Sequence, residues 1–150
     1  MNNNTDKQIL LVGSHIHTMD DKKRIIFPSI WRNLLEKIKS LYIFPHPEKP
    51  CLHLYLKDEM NRRLHVLRND EFNEYDDNVI RNISSTADII LLDSQGRLRI
   101  KDNLLRHIDV KNKIVFIGLL TRIEIWSLEK FDSLIPMTSN KAEDLFFSGY

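Results

Sequence analysis

A single cysteine, Cys51, excludes an internal disulfide and makes a reducing, cytoplasmic compartment the expectation. Glycine and proline are scarce, four and five in 150 residues, which argues against low complexity and against disorder. No apolar run approaches the roughly 20 residues that cross a bilayer, so no membrane contact is expected. No hydrophobic leader is present. Met1-Asn2-Asn3-Asn4-Thr5-Asp6-Lys7-Gln8 is polar and reads as a flexible tail over residues 1–8. Neither Gly-x-Ser-x-Gly nor Gly-x-x-x-x-Gly-Lys occurs. The paired carboxylates Asp20-Asp21 and Asp76-Asp77 are sequence neighbours, which point apart on a strand. No catalytic residue, cofactor or small-molecule substrate is therefore assigned, and the chain is not read as an enzyme. Net charge is nearly absent as well, +1 over the whole chain.

What charge there is has been sorted. Residues 1–50 carry 8 Lys/Arg against 5 Asp/Glu, residues 51–90 carry 5 against 8, and residues 91–150 carry 9 against 8. The acids gather in the run 70–77, which reads as a solvated helix face. Lys22, Lys23 and Arg24 are consecutive, and Arg97, Arg99 and Lys101 alternate.

Both basic groups fall in one repeated motif. Leu91-Leu92-Asp93-Ser94-Gln95-Gly96-Arg97-Leu98-Arg99-Ile100 reads as strand, tight turn, strand. Asp93 opens the turn by accepting backbone N–H bonds, Gly96 supplies a positive φ, and Arg97 pairs with Asp93. Thr18 to Pro28 repeats the pattern, with Asp20 for Asp93 and Arg24 for Arg97, both at an offset of 73. Asp20, Asp93 and Gly96 are thus read as turn-bracing residues.

The rest of each copy follows the same plan. Expected strands cover 15–19, 24–27, 41–44, 51–55, 114–120 and 123–126, with Pro45 to Pro50 a loop. The 3–4 spacing predicts a helix from Ser29 to about Lys39 burying Ile30, Trp31, Leu34, Leu35 and Ile38. A second is marked by Leu56, Met60, Leu64 and Leu67. A third runs from about Asp70 to Ile83, burying Phe72, Tyr75, Val79 and Ile83. Asp102 is expected to cap a helix through Ile108, and Ser127 one through about Ile135, stopped by Pro136. The chain divides as a tail at 1–8, a first half at 9–68, a second half at 69–135 and a C-terminal tail at 136–150. Each half alone has few strands, so the two are expected to intertwine in one core.

Four segments resemble the MraZ family of bacterial transcriptional regulators, which are built from two AbrB-like (SpoVT-like) swapped-hairpin motifs. They are Asp20-Asp21-Lys22-Lys23-Arg24-Ile25-Ile26-Phe27-Pro28, then Asp93-Ser94-Gln95-Gly96-Arg97-Leu98. The third is the hairpin Ile117-Gly118-Leu119-Leu120-Thr121-Arg122-Ile123-Glu124-Ile125-Trp126, and the fourth is Pro50-Cys51-Leu52-His53-Leu54-Tyr55. The likeness spans about Gly13 to Phe131. Two residues depart from it: Lys23 stands where the family has Gly, and Lys101 where the first copy has Pro28.

The resemblance implies an α+β fold, an internally duplicated swapped-hairpin β-barrel core with flanking helices. It implies a cytoplasmic, nucleoid-associated protein that forms a homo-oligomeric ring. It also implies binding to double-stranded DNA, at direct repeats upstream of the division and cell wall gene cluster. Lys22, Lys23, Arg24, Arg97 and Arg99 are the DNA-binding candidates, because cations at a protruding turn reach phosphates or a guanine edge. The bland reading of Arg24 and Arg97 is that each merely braces its turn.

Two rival readings remain. His15-x-His17 and Cys51-x-His53 each place two metal ligands on one strand face, but no third or fourth ligand stands at a usual spacing, so no metal site is assigned. Alternatively, the fold is an oligomeric protein-binding module whose DNA binding has decayed, which the near-neutral charge and Lys23 favour.

Overall fold

Alternating apolar and polar positions set the strands, and the breaks between them set the order. The computed structural model describes residues 9–35, 40–69, 77–134 and 141–149. The elements are β1 (Ser14–Thr18), β2 (Arg24–Ile26), α1 (Ser29–Leu34), β3 (Ser40–Pro45), β4 (Cys51–Tyr55), α2 (Lys57–Arg68) and α3 (Asp77–Ser85). They continue as β5 (Asp88–Leu91), β6 (Arg97–Arg99), α4 (Asp102–Ile108), β7 (Lys113–Gly118), β8 (Ile123–Ser127), α5 (Leu128–Asp132) and α6 (Lys141–Ser148). The residues from β2 through β3 recur about 73 positions later in β6, α4 and β7.

Six strands form one antiparallel sheet in the order β1-β7-β8-β4-β3-β5, and β2 pairs with β6 in a separate ribbon. The order reads the same in reverse when each strand is exchanged for its counterpart in the other copy. Thus, among the described residues, β1 pairs only with β7, the counterpart of β3, and β5 pairs only with β3. The fold is α+β with a mainly antiparallel sheet. The sheet is open: β1 and β5 are its edges, because the β2–β6 ribbon pairs with itself instead of bridging them into a barrel.

Side-chain alternation gives the sheet two faces, one packed on the main core and one covered at its centre but open at the edge strands. Leu52 and Leu54 on β4, Ile123 and Ile125 on β8, Ile114 and Phe116 on β7, and Ile43 on β3 join the main core. The ribbon contributes Ile25 and Leu98, directly opposite each other, and the helices contribute Trp31, Leu104, Leu105 and Ile108. Cys51, His53, Tyr55, Glu124 and Trp126 take the alternate positions and face the other way. There Arg63 of α2 lies 4.3 Å over the Tyr55 ring.

Several helices differ from expectation. α1 ends at Leu34, and Ile30 and Leu34 are exposed while Trp31 and Leu35 are buried. Ile38 lies outside the described residues, as do Phe72, Tyr75 and most of the acidic run. The described part of the third helix, α3, leaves Val79 and Ile83 exposed. Asp102 does not cap α4. Lys101 holds that position, and the Asp102 carboxylate turns to Lys23 instead. Ser127 does cap α5, its Oγ accepting from the Lys130 amide at 3.1 Å, but the helix ends at Asp132. The expected stop at Pro136 lies outside the described residues.

Residues 11–13 close the β7 end of the sheet. Leu11 and Leu120 exchange backbone bonds at 2.8 and 2.7 Å, and the Gly118 amide donates to Gly13 O at 2.8 Å. A Cβ on Gly118 would lie 2.6 Å from the Leu11 carbonyl carbon, backbone that cannot swing aside. Gly118→Ala should lower unfolding stability by about 1–3 kcal/mol in urea titration. A neutral result would mean that this segment does not lie against β7 as described.

Candidate functional site

The two turns share one hydrogen-bond scheme, built by the Asp-x-x-x-Arg spacing. In the first, Asp20 Oδ1 accepts the amides of Lys22 at 2.9 Å and Arg24 at 2.7 Å, while Arg24 Nε donates to Asp20 Oδ2 at 2.8 Å. In the second, Asp93 Oδ1 accepts the amides of Gln95 and Arg97, both at 2.9 Å, and Arg97 Nε donates to Asp93 Oδ2 at 2.8 Å. The amide of Arg24 holds the Asp20 carboxyl below its ordinary 3.8, and that of Arg97 does the same for Asp93. Both carboxylates are charged at neutral pH, so each guanidinium is fixed by one donor. An arginine presents five N–H donors, which leaves the terminal ones at liberty.

Pairing of β2 with β6 brings the two basic groups together. Arg24 lies directly opposite Arg99, and Ile26 opposite Arg97, on the face away from the buried pair Ile25 and Leu98. Three guanidiniums from two distant segments therefore share one short ribbon surface. Like charges directly opposite each other are destabilising. The side chains of Lys22 and Arg99 are exposed and make no hydrogen bond or ion pair among the described residues.

Lys23 behaves otherwise. It sits at φ 60, in the left-handed region, where its counterpart Gly96 has φ 74. Its Nζ is 2.7 Å from Asp102 Oδ1 at the start of α4. The Gly96 turn is covered by a residue the sequence reading missed: Arg32 of α1, whose Nη1 donates to Gln95 O at 3.1 Å. Each turn thus docks on the helix of the other copy. Nothing in the spacing of Arg32 distinguishes it from a surface arginine.

The histidine motifs also have a place. His15 and His17 are partly buried, against Trp31 at 5.0 Å and Phe116 at 5.9 Å between ring centroids, and no further metal ligand joins them among the described residues. Cys51 and His53 meet Glu124, which the sequence reading did not connect to them because it arrives on β8. Burial pushes the Cys51 thiol up to about 12. His53, the strongest contributor, holds the Glu124 carboxyl below its ordinary range.

The turns predict opposite signs for exchange at equivalent positions. A side chain at left-handed φ costs about 1–2 kcal/mol, partly offset by the backbone freedom a glycine adds to the unfolded chain, whereas the Lys23–Asp102 pair is exposed and screened by water. Lys23→Gly should therefore raise stability by up to about 1 kcal/mol. Gly96→Ala should lower it, since its Cβ would also lie 1.6 Å from Arg32 Nη1 and push that side chain off the turn. Thermal and urea denaturation of both variants read the signs. A destabilised Lys23→Gly would show that the ion pair outweighs the backbone strain.

Comparison with known proteins gives a consistent result. A family model described as "MraZ protein, putative antitoxin-like" matches residues 83–145. A protein named Transcriptional regulator MraZ from Clostridium tetani is 34% identical over 124 residues, covering 82% of this chain and 85% of the relative. One of the same name from Clostridium acetobutylicum is 32% identical over 123 residues, covering 81% and 84%. A third, from Caldanaerobacter subterraneus, is 28% identical over 137 residues, covering 91% and 94%. With that identity over most of both chains, and with both Asp-x-x-x-Arg turns built as the sequence pattern requires, the chain belongs to the MraZ family of transcriptional regulators.

Proposed function

We propose that this chain regulates transcription by binding double-stranded DNA with the outer face of the β2–β6 ribbon and the turn at 20–24. The observation that carries this is the register of the ribbon, which sets Arg24 opposite Arg99 and adds Arg97 on the same face. Asp20 and Asp93 offset part of that repulsion, and a polyanion would take up the rest through Arg99 and the terminal donors of Arg24 and Arg97. Two-stranded ribbons fit a major groove. Bracing and DNA contact are then one arrangement: each aspartate fixes an arginine so that its remaining donors point at a phosphate or a base edge with little entropy left to lose. Lys22 and Arg99 serve as free cations, while Lys23, tied to Asp102, contributes least.

The finer reading adds three things. The chain is a duplicated swapped hairpin with halves at 9–68 and 69–135, which the crossed pairing of β1 with β7 and β5 with β3 supports. It acts as a ring-shaped homo-oligomer in the cytoplasm, on the nucleoid. The exposed Ile16, Ile89 and Leu91 on the two edge strands offer surface that neighbouring copies can cover. It binds direct repeats upstream of the division and cell wall gene cluster. A near-neutral subunit grips DNA weakly, and a ring presenting several turns to successive repeats gains roughly 10² to 10⁴ through effective concentration.

Gel shifts on duplexes carrying one, two and three repeats test this. Three repeats should bind far more tightly than one. Arg24→Ala should abolish binding to three repeats, because its loss is multiplied over every subunit. Arg99→Ala, which removes an unfixed cation, should cost less and should reduce the salt slope by about 1. Oligomer size by light scattering should match wild type in both. If the purified protein shifts no duplex at any salt, the protein-binding module is the better reading. Equal affinity for one and three repeats would remove the multivalent ring from the account.

A further inference from the structure

We propose that Cys51, His53 and Glu124 form a binding site for a divalent ion of the zinc type, joining the two central strands of the sheet. Cys51 Sγ, a ring nitrogen of His53 and a carboxylate oxygen of Glu124 all lie within 4.8 Å of one another. Cys51 and His53 are two apart on β4 and share a face, and Glu124 stands directly opposite His53 on β8. Thiolate, imidazole and carboxylate are the ligands zinc takes, at about 2.0–2.3 Å. Closing the set around an ion asks for side-chain movements on the order of 1 Å.

The second observation is a buried ring nitrogen that is poorly satisfied. His53 Nε2 is buried and lies 3.2 Å from Glu124 Oε2, within ion-pair distance but without a well-aligned hydrogen bond among the described residues. Such an atom costs stability unless something takes up its lone pair. The supports that metal ligands ordinarily have are already in place. Trp126 Nε1 donates to Glu124 Oε1 at 2.9 Å, and His53 Nδ1 lies 2.7 Å from the Tyr55 hydroxyl. With the Nδ1 proton directed to the Tyr55 oxygen, the Nε2 lone pair is free for the ion. His46 is adjacent, its ring 5.1 Å from that of His53, and its Nδ1 is occupied by the Glu48 and Lys49 amides at 3.1 and 3.0 Å. The fourth position falls to His46 Nε2 or to water. Binding forms the sulfur–metal bond and releases the thiol proton to solvent, with no change of oxidation state. Because β4 and β8 belong to different copies, the ion would fasten one copy to the other. The site is independent of the DNA-binding reading.

The full-length protein, chelated under reducing conditions and then titrated with Co²⁺ alone, tests the proposal. The expected result is one Co²⁺ per chain with a thiolate-to-cobalt charge-transfer band and tetrahedral visible bands, displaced by one equivalent of Zn²⁺. Zn²⁺ should also raise the thermal midpoint. Tyr55→Phe, which keeps the packing and removes the hydroxyl, should retain the bands while weakening Zn²⁺ affinity roughly 10- to 100-fold. Cys51→Ala should lose the charge-transfer band. A wild-type protein with only octahedral cobalt absorption and an unmoved midpoint overturns the proposal whatever the variants do. So does a charge-transfer band that survives in folded Cys51→Ala.

Discussion

Backbone hydrogen bonds between β4 and β8 join two three-stranded groups, β1-β7-β8 and β4-β3-β5, into one sheet. Each group takes strands from both copies of the repeat, so neither copy satisfies its own ladder. An unpaired buried N–H or C=O costs about 1–3 kcal/mol. The copies therefore stay together for a reason that does not depend on side chains at all. The ribbon follows from the same constraint. With β1 and β5 committed to opposite edges, β2 and β6 are carried over the core, where Ile25 and Leu98 meet and exclude water. Their polar faces have only the outside left to occupy.

The turns show how one backbone problem is solved twice with different chemistry. Both need a left-handed residue after the second turn position. Gly96 meets the need without strain and leaves room for Arg32 to lie across the turn. Lys23 meets it with strain and ties its own ammonium to α4. The cross-contact between turn and opposite helix survives in both, by a backbone carbonyl in one case and a carboxylate in the other. What differs is the charge left for the outside: the second turn keeps its cations clear of this contact, while the first surrenders Lys23 to it.

Much of this was legible in the sequence because it is local. The Asp-x-x-x-Arg turns encode their own hydrogen bonds within five residues, and the strands carry a period of two that few alternatives mimic. Ser127 as a cap is local too. The failures involve partners set by the tertiary fold. Ile30 and Leu34 keep helical spacing but point outward, since α1 is short and its buried side is spent on Trp31. Val79 and Ile83 mark a face of α3 correctly, yet a pattern says which side is apolar and not what covers it. Asp102 has the composition of a cap but a stronger offer from Lys23, 79 residues away. Glu124 could be matched to Cys51 and His53 only by knowing that β8 lies beside β4.

The pairing of β1 with β7 also sets a schedule for the growing chain. Thr18 faces Lys113, so the first strand has no ladder to join until nearly a hundred residues more have been made. Loop closure over that span costs only modestly more entropy than over a short one, but contacts so distant in sequence slow the search. During synthesis the early strands must wait with Leu10, Leu11 and Val12 beside them in the open, and β4 waits likewise for β8. Nascent-chain intermediates of this fold consequently expose unsatisfied strand edges until the last hairpin emerges, the interval in which such chains are most adhesive.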